Sequence, residues 1–500
     1  MIVLAIDAGT TGVRTRAFGA DGSTRAVSYR EFPQHFPRPG WVEHDALDIW
    51  AATRDTVNEV CARLDDEVVA IGITNQRETV VAFDRRTGMP LHRAIVWQDR
   101  RTSTRCEELA HWLPTVRART GLVLDPYFSA TKIEWLLEHG NLSDDPNVEV
   151  VFGTIDAFLV HRLTAGETFV TDVSNASRTM LYDIVAQRWD PELCALFGID
   201  PRQLPDVVAS SGRCGVTSPA AGIPGGIPVA GIVGDQQAAL FGQHCFTPGT
   251  AKNTYGTGSF LLLNVGTDAP PTRDGLLTTI AWKLGDEPVT YALEGAVFST
   301  GSTVQWLRDQ LGVITESREL EPLAATVPDA GGVIIVPAFA GLGSPWWDPD
   351  ARGTIVGLTP GVSRAHLARA VIDAMVMQIR DVVNAMNDVG GVALRELRVD
   401  GGAAVMDLML QLQADALGVD VVRPPIIEST AMGAALLAGL GVGVWASLAD
   451  VPTLDGASGA DHALAHRFVA RPDNPQRLPS AEAWIRAVER SRAWARTATE

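Results

Sequence analysis

Short β-branched runs alternate with helix-length patterns along nearly the whole chain, and this alternation restricts the fold more than any other feature. The runs "VVAIGITNQ" (68–76), "IPVAGIVGD" (227–235), "GVIIVPAFAG" (332–341) and "LRELRVDGG" (394–402) read as strands. Between them, "DALDIWAATRDTVNEVCARL" (45–64), "STVQWLRDQL" (302–311), "AHLARAVIDAMVMQIRDVVNAM" (365–386) and "MDLMLQLQADALG" (406–418) place apolar residues at helical spacing. Strands interleaved with helices of this length predict an α/β protein whose sheets are covered on both faces. A chain of 500 residues exceeds one ordinary core, so two or three domains with a cleft between them are expected.

A faint internal echo bears on how those domains are related. "LAIDAGTTGVRTRAF" (4–18) and "KNTYGTGSFLLLN" (252–264) each run from a strand through a Gly/Thr turn into a second strand. Two such hairpins fit two related domains that present a turn to one ligand, although Gly/Thr turns are common in any β-containing protein. The boundary is expected between Gly242 and Gly249, which gives domains 1–245 and 246–446. Residues 447–500 read as an appendage ending in the helix "SAEAWIRAVERSRAWART" (480–497).

Charge and cysteine usage limit the partners. A formal net charge of −18 argues against nucleic acid, whose binders neutralise phosphates with basic faces. The five cysteines Cys61, Cys106, Cys194, Cys214 and Cys245 are scattered and form no CxxC pair, which favours a reducing compartment. The stretch Ser429–Ala449, "STAMGAALLAGLGVGVWASLA", carries no charge and has the length of a bilayer span. Its Ala/Gly dominance and the "GLGVG" break point instead to a buried helix followed by a turn. A cytoplasmic protein without membrane insertion is expected, assembled with copies of itself.

Three elements could handle phosphate. Backbone N–H groups in tight turns hold phosphate well, because glycine lets the chain come close. "DAGTTG" supplies Gly9 and Gly12 for approach, Thr10 and Thr11 as hydroxyl donors, and Arg14 just beyond. Asp7 at the end of the preceding strand is placed to hold Mg²⁺ through water. "YGTGS" (255–259) is a second turn of this kind, and neither matches a P-loop or a GxGxxG fingerprint. Either turn alone is also what a plain hairpin would carry. In "VDGGAAVMDLMLQL", Gly401 and Gly402 stand between a strand and a helix, where a flat or phosphorylated group could pack on the helix N-terminus. Asp235 in "IVGDQQAALFGQ" falls between a buried strand and a helix start, where it suits an N-cap or a general base facing a cleft.

In this order, these pieces and the text between them resemble the glycerol kinase branch of the FGGY carbohydrate kinase family. The resemblance runs from Ile2 to about Trp445, and its strongest stretches include "GITNQRET" (72–79), "AIVWQDRR" (94–101), "GLVLDPYFSATKIEWLL" (121–137), "TDVSNASRTMLYDI" (171–184), "GDQQAALFGQ" (234–243) and "YALEGAVF" (291–298). It implies two domains of the actin-like (ribonuclease H-like) ATPase fold, with ATP and a small polyol, glycerol, meeting in the cleft. Domain 1–245 would carry the polyol site and a phosphate turn, and domain 246–446 the nucleotide site. By position, Asp235 would be the general base. Arg77 and Glu78 would grip two hydroxyls, with Tyr127 and Gln236 adding hydrogen bonds and Trp97 and Phe260 forming an apolar wall. Thr10, Thr11, Gly12 and Arg14 would meet the phosphates from one side, and Thr257, Gly301, Gln305, Gly401 and Gly402 the nucleotide from the other. The residue types suit a triol, which offers only hydroxyl and CH groups and needs fixed donors, acceptors and an apolar face.

The chain departs from that family's pattern where it has Ala8 for Gln, Gly12 and Val13 for Ser, and Met406 for an Asn facing the adenosine. None of these touches the polyol set. Two rival readings remain at this stage: a sister kinase acting on another polyol or a ketose, and a non-catalytic ATP-dependent clamp of the actin or chaperone type. "QRET" and "DPYF" favour glycerol over the first. Retention of Asp235, Arg77, Glu78, Trp97 and Tyr127 together speaks against the second.

Overall fold

The computed structural model describes residues 1–389, 391–425, 429–452, 465–471 and 477–496. The expected alternation of strand and helix organises them around two large sheets. The N-terminal sheet contains β1 (Ile2–Ala8), β2 (Gly12–Gly19), β3 (Thr24–Glu31), β4 (Val68–Asn75), β5 (Ser211–Val216) and β6 (Pro228–Gly234), in the spatial order β5-β6-β4-β1-β2-β3. The C-terminal sheet contains β7 (Thr250–Tyr255), β8 (Ser259–Gly266), β9 (Leu277–Trp282), β10 (Thr290–Val297), β11 (Glu396–Asp400), β12 (Asp420–Arg423) and β13 (His466–Phe468), in the order β9-β10-β8-β7-β11-β12-β13.

The echo between the two hairpins extends to the sheets around them. β3-β2-β1 is an antiparallel meander, and β1-β4-β6 continues it in parallel. β10-β8-β7 followed by β11 and β12 repeats both the order and the directions. The chain is therefore two copies of one α/β plan, the two-lobed actin-like architecture. In each copy the first hairpin is central, so its turn opens at the sheet's edge while its strands are buried. Leu4, Ile6, Ile71, Ile73 and Ile232 fill one lobe, and Leu261, Leu263, Leu293, Leu397 and Val399 the other.

The predicted helices form close to the expected limits. Asp45 caps the helix Ala46–Cys61 by accepting from the Leu47 N–H. The helix Arg364–Val389 is buried along most of its length in the C-terminal lobe. The strand expected across 332–341 is shorter, Ile334–Val336, because Pro337 cannot donate to a ladder and the glycines that follow turn the chain.

Two helices join the lobes. Asp235–Gly242 leaves the last parallel strand of the N-terminal sheet, and Ser429–Val442 packs across its side near both. They cross at glycines: a Cβ on Gly242 would lie 1.9 Å from the Ser429 carbonyl oxygen, and one on Gly433 1.9 Å from that of Ala238. The second helix also rests on the N-terminal sheet, where Gly72 and Gly231 leave room for the backbone of Ala434 and Ala438. This close approach explains the Ala/Gly composition of the charge-free stretch: small residues let a helix lie directly on a sheet and on another helix. Among the described residues no helix is long and apolar enough to cross a membrane.

A helix drawn from 429–442 into the N-terminal lobe cuts across the expected 246–446 unit. The segment read as an appendage is likewise integrated where it is described. β13 adds to the C-terminal sheet beside β12. The helix Ala481–Ser491 buries Trp484, whose indole N–H donates to Asp381 at 2.6 Å. Residues 453–464, 472–476 and 497–500 of that segment lie outside the described residues.

Candidate functional site

The loop after β4 carries Arg77 and Glu78 into the cleft, and both side chains are all but fully buried. Glu78 has a left-handed backbone, with φ of +63°, which a non-glycine residue adopts only when its surroundings hold it there. The Glu78 carbonyl accepts from Ser129 Oγ at 3.1 Å and from Lys132 Nζ at 3.4 Å. Lys132 also donates to the Tyr127 carbonyl at 2.6 Å, so one buried ammonium fixes the backbones of two expected polyol residues. Burial lowers the Lys132 pKa to about 8, against the pull of Glu78.

Asp235 is the first residue of its helix, not the cap. Gly234 occupies the N-cap position, so the capping role open at the sequence level falls away. A side chain on Gly234 would strike the Arg77 stem, since a Cβ there would lie 2.8 Å from its Cγ and Cδ. Asp235 Oδ1 accepts the Gln236 N–H at 2.7 Å and stands 3.3 Å from Arg77 Nε. A third of the Asp235 side chain remains open, which a base that meets a substrate requires. Burial raises its carboxyl above the ordinary value, while Arg77 and Lys252 pull it down. The buried Lys252, on β7 of the opposite lobe, donates to Gln236 Oε1 and to Thr254 Oγ1. Burial lowers Lys252 to about 8.

Tyr127 hydroxyl accepts from Arg77 Nη2 at 3.3 Å, and its ring meets Trp97 edge to face, centroids 5.6 Å apart. Trp97 Nε1 donates to Thr10 Oγ1 at 3.0 Å, which ties the expected polyol wall to the expected phosphate turn. Arg77, Glu78, Tyr127, Trp97, Thr10 and Asp235 thus form one connected set, and Gln236 joins through Lys252. Phe260 stands half-buried on β8, opposite Thr254 and Ala296 in the sheet.

Two side chains at the centre of this set were not singled out from sequence. Glu294, on β10 of the C-terminal lobe, accepts from Arg77 Nη1 at 2.6 Å and Nη2 at 3.1 Å, and from Arg178 Nη2 at 2.9 Å. Arg178 Nε donates to Glu78 Oε1 at 2.7 Å. Burial works against the Glu294 charge, but Arg178 and Arg77 outweigh it and hold its pKa down to about 2. For Glu78, burial outweighs the same two arginines and the pKa rises. Both residues lie in stretches that carry the family resemblance. A lone Glu in a strand and a lone Arg after a short helix nonetheless read as solvated charges until a fold encloses them.

Both Gly/Thr turns expected to handle phosphate form as tight hairpin turns. Gly9 N–H bonds the Gly12 carbonyl at 3.0 Å, and Gly256 N–H bonds that of Gly258 at 2.8 Å. Thr11 is exposed at the first turn and Thr257 at the second. Asp7 pairs with Arg14 in the hairpin register, so both project on one face. Gly12 is confined: a Cβ there would lie 2.6 Å from both the Tyr29 hydroxyl and the Arg30 carbonyl oxygen. Tyr29 therefore fills the space a serine would need, and Arg14 lies over its ring at 5.2 Å.

A cavity of about 450 Å³ is lined by Thr257, Gly301, Gln305, Gly402 and Met406, among others. Gly401 approaches β7 so closely, with φ of +89°, that a Cβ would lie 2.4 Å from the Tyr255 carbonyl oxygen. Gly301 packs on Gly256 in the same way, at 2.5 Å. The helix expected at 406–418 forms at Asp407–Leu417, and Gly402 lies before it. A 3₁₀ turn, Gly402–Val405, intervenes because Met406 is extended, and the helix starts at Asp407. The donor set for a cation is a sparse one. Among the described residues no cluster of three or more His, Cys, Asp or Glu could cage a metal. Asp7 beside the phosphate turn fits the other arrangement, a Mg²⁺ held by one or two carboxylates and substrate phosphates.

Comparison with known proteins agrees with this geometry. Residues 2–242 match the N-terminal domain and residues 251–442 the C-terminal domain of the FGGY family of carbohydrate kinases. The glycerol kinase of Carboxydothermus hydrogenoformans is 51% identical over 98% of both chains, and that of Trichlorobacter lovleyi 51% identical over 99% of both. The crystal structure of Plasmodium falciparum glycerol kinase with ADP superposes with a TM-score of 0.91 at 34% identity, covering 98% of each chain. A xylulose kinase from Brucella ovis, at 23% identity and a TM-score of 0.85, shares the fold. With both domain models matched in order across the two lobes, this chain belongs to the FGGY family of carbohydrate kinases.

Proposed function

We propose that the chain transfers the terminal phosphoryl group of ATP to a primary hydroxyl of glycerol, giving sn-glycerol 3-phosphate and ADP. The observation that carries this reading is the convergence of Arg77, Glu78, Tyr127 and Trp97 on Asp235, beside a phosphate turn tied in through Thr10. Near-50% identity to glycerol kinases over the full length supports glycerol over other acceptors.

Phosphoryl transfer needs positioning and charge neutralisation more than covalent chemistry. Arg77 and Glu78 orient adjacent hydroxyls as donor and acceptor, while Trp97 covers the carbon chain. Asp235 takes the proton of the attacking hydroxyl, and its burial-raised pKa makes it a better match for that proton than a solvated carboxylate. Arg77 and Lys252 keep the carboxylate ionised before the step. Thr10 accepts from Trp97, so its own O–H is available to a phosphate oxygen. ATP fits the cavity lined by Gly256, Thr257, Gly301 and Gly402, where small residues let a flat base lie on backbone. Mg²⁺, when bound, supplies positive charge to the phosphates, and Asp7 would hold it.

The five described cysteines are all unpaired, which supports work in the reducing cytoplasm. Self-assembly belongs to the same reading and is measured by light scattering. The test of function is ADP release with a panel of polyols, ketoses and water as acceptors. Glycerol is expected to give the highest kcat/KM, and a higher value for a ketose would replace it as the substrate.

A further inference from the structure

Four charged side chains meet in the acceptor site with almost no solvent: Arg77 and Arg178 against Glu78 and Glu294. Their formal charges cancel. Outward of them, Lys252 faces Asp235 and Asp400, and Lys132 sits behind Glu78 with its ammonium on the Glu78 and Tyr127 carbonyls. A buried set of this kind is stable only while every charge keeps its partner. Glu294 is the member on which the others depend, because it takes bonds from both guanidiniums and comes from the opposite lobe.

Those bonds determine which face of Arg77 an acceptor can meet. Nη1 is taken by Glu294 and Gln237, and Nη2 by Glu294 and Tyr127. Nε is left, 3.3 Å from Asp235. Without Glu294 the guanidinium would have Glu78, 3.7 Å from Nε, and Asp235 as its carboxylate neighbours, and it would turn toward the base it ought to leave free.

We infer that Glu294 is a positioning and specificity residue: it holds Arg77 from across the cleft and completes a charge balance that admits an uncharged acceptor and rejects an anionic one. A neutral triol adds no charge to a balanced cage. A carboxylate-bearing analogue of similar size, such as glycerate, brings a negative charge beside Asp235, where Glu294, Gln237 and Tyr127 already occupy both terminal nitrogens of Arg77, and desolvating it there is unfavourable. Removing the Glu294 charge leaves the cage one unit positive, which weakens the grip on glycerol and relieves the exclusion of the anion.

This inference rests on the polyol-kinase reading above, and its test keeps the two apart. In Glu294→Gln the KM for glycerol is expected to rise ten- to hundredfold, the range for losing a charge-assisted hydrogen bond. The KM for ATP is expected to stay within threefold and kcat within about fivefold. Glu294→Asp, which keeps the charge, should restore most of the loss. Competitive inhibition by D-glycerate against glycerol should strengthen in Glu294→Gln, with its Ki itself falling at least tenfold. A glycerol KM unchanged in Glu294→Gln, or a glycerate Ki that does not fall, overturns the inference. So does a fall in kcat at constant KM, which would put Glu294 in the chemical step. If Glu294→Gln does not fold, Glu294→Asp is compared with wild type: the inference expects an unchanged glycerate Ki and a KM raised for glycerol alone, and a KM raised equally for glycerol and ATP would show a merely structural role. If the wild-type enzyme prefers another neutral acceptor, the polyol reading fails in its choice of glycerol, and the same comparison is run with that acceptor.

Discussion

Replacing Asp235 by Asn removes the carboxylate proposed to take the acceptor's proton and leaves nearly everything else in place. Asn keeps an oxygen for the Gln236 N–H, now 2.7 Å away, and it needs no capping replacement because Gly234 holds the N-cap position. Loss of a positioned general base lowers turnover by about 10²–10⁴, a barrier rise of roughly 3–5 kcal/mol. Two effects on stability oppose each other: a buried carboxylate is relieved of its desolvation, and Arg77 and Lys252 lose a counter-charge. Thermal unfolding should therefore shift by only a few degrees. Nucleotide binding, measured by calorimetry without acceptor, should be unchanged, since none of the residues lining the glycine-rich cavity is altered. In wild type, burial raises the Asp235 pKa, so the acidic limb of kcat/KM should lie above the ordinary aspartate value of about 3.9. That limb should vanish in the variant. A purified Asp235→Asn enzyme with more than a tenth of wild-type kcat would refute the assignment of Asp235 as base.

Arg77→Ala should raise the KM for glycerol at least tenfold and leave that for ATP nearly unchanged; the opposite pattern in steady-state kinetics would move Arg77 to the phosphate side. Gly401→Ala should do the reverse, because its Cβ would press to within 2.4 Å of the Tyr255 carbonyl oxygen and displace the cavity wall, so nucleotide titration should show weakened binding. Gly433→Ala should destabilise the protein by about 1–3 kcal/mol despite alanine's better helix propensity, since overpacking at a 1.9 Å approach dominates; a higher melting temperature would contradict the crossing geometry. Asp381 has a pKa raised to about 6 by burial, so the folded state holds its proton more tightly than the unfolded chain, and the stability this gives below about pH 4 is lost as pH rises through 6. Asp381→Asn, which can still accept from Trp484, should thus raise stability at pH 7.5 and give no gain near pH 4 in denaturant titrations.

Periodicity and turn chemistry were enough to find the elements that matter most. The helices at 45–64, 302–311, 365–386 and 406–418 and both glycine turns formed within a few residues of their expected limits, because each signal is local. What sequence reading missed depends on which distant segments meet. Glu294 and Arg178 are ordinary charges in isolation, and only their enclosure with Arg77 and Glu78, residues 100 or more positions away, makes them part of the site. The helix 429–442 was legible as buried but not as a companion of the N-terminal sheet, since an all-apolar surface does not say which lobe covers it. The 3₁₀ turn Gly402–Val405 between the glycine pair and that helix was not foreseen, since propensity does not register the extended Met406.

The glycine crossing at Gly242 and Gly433 also places a fulcrum at one end of a short rod whose other end is Asp235. The seven-residue rise between Gly242 and Asp235 is about 10 Å, so pivoting that rod by 10° sweeps the carboxylate through about 2 Å. Proton transfer requires heavy-atom separations of about 2.6–3.2 Å, so a sweep of that size is the difference between a base in reach and one out of reach. Small residues that look like packing convenience, far from any substrate, therefore set the arc along which the reactive oxygen travels. Bulk added at the fulcrum should show in the chemistry as well as in the stability.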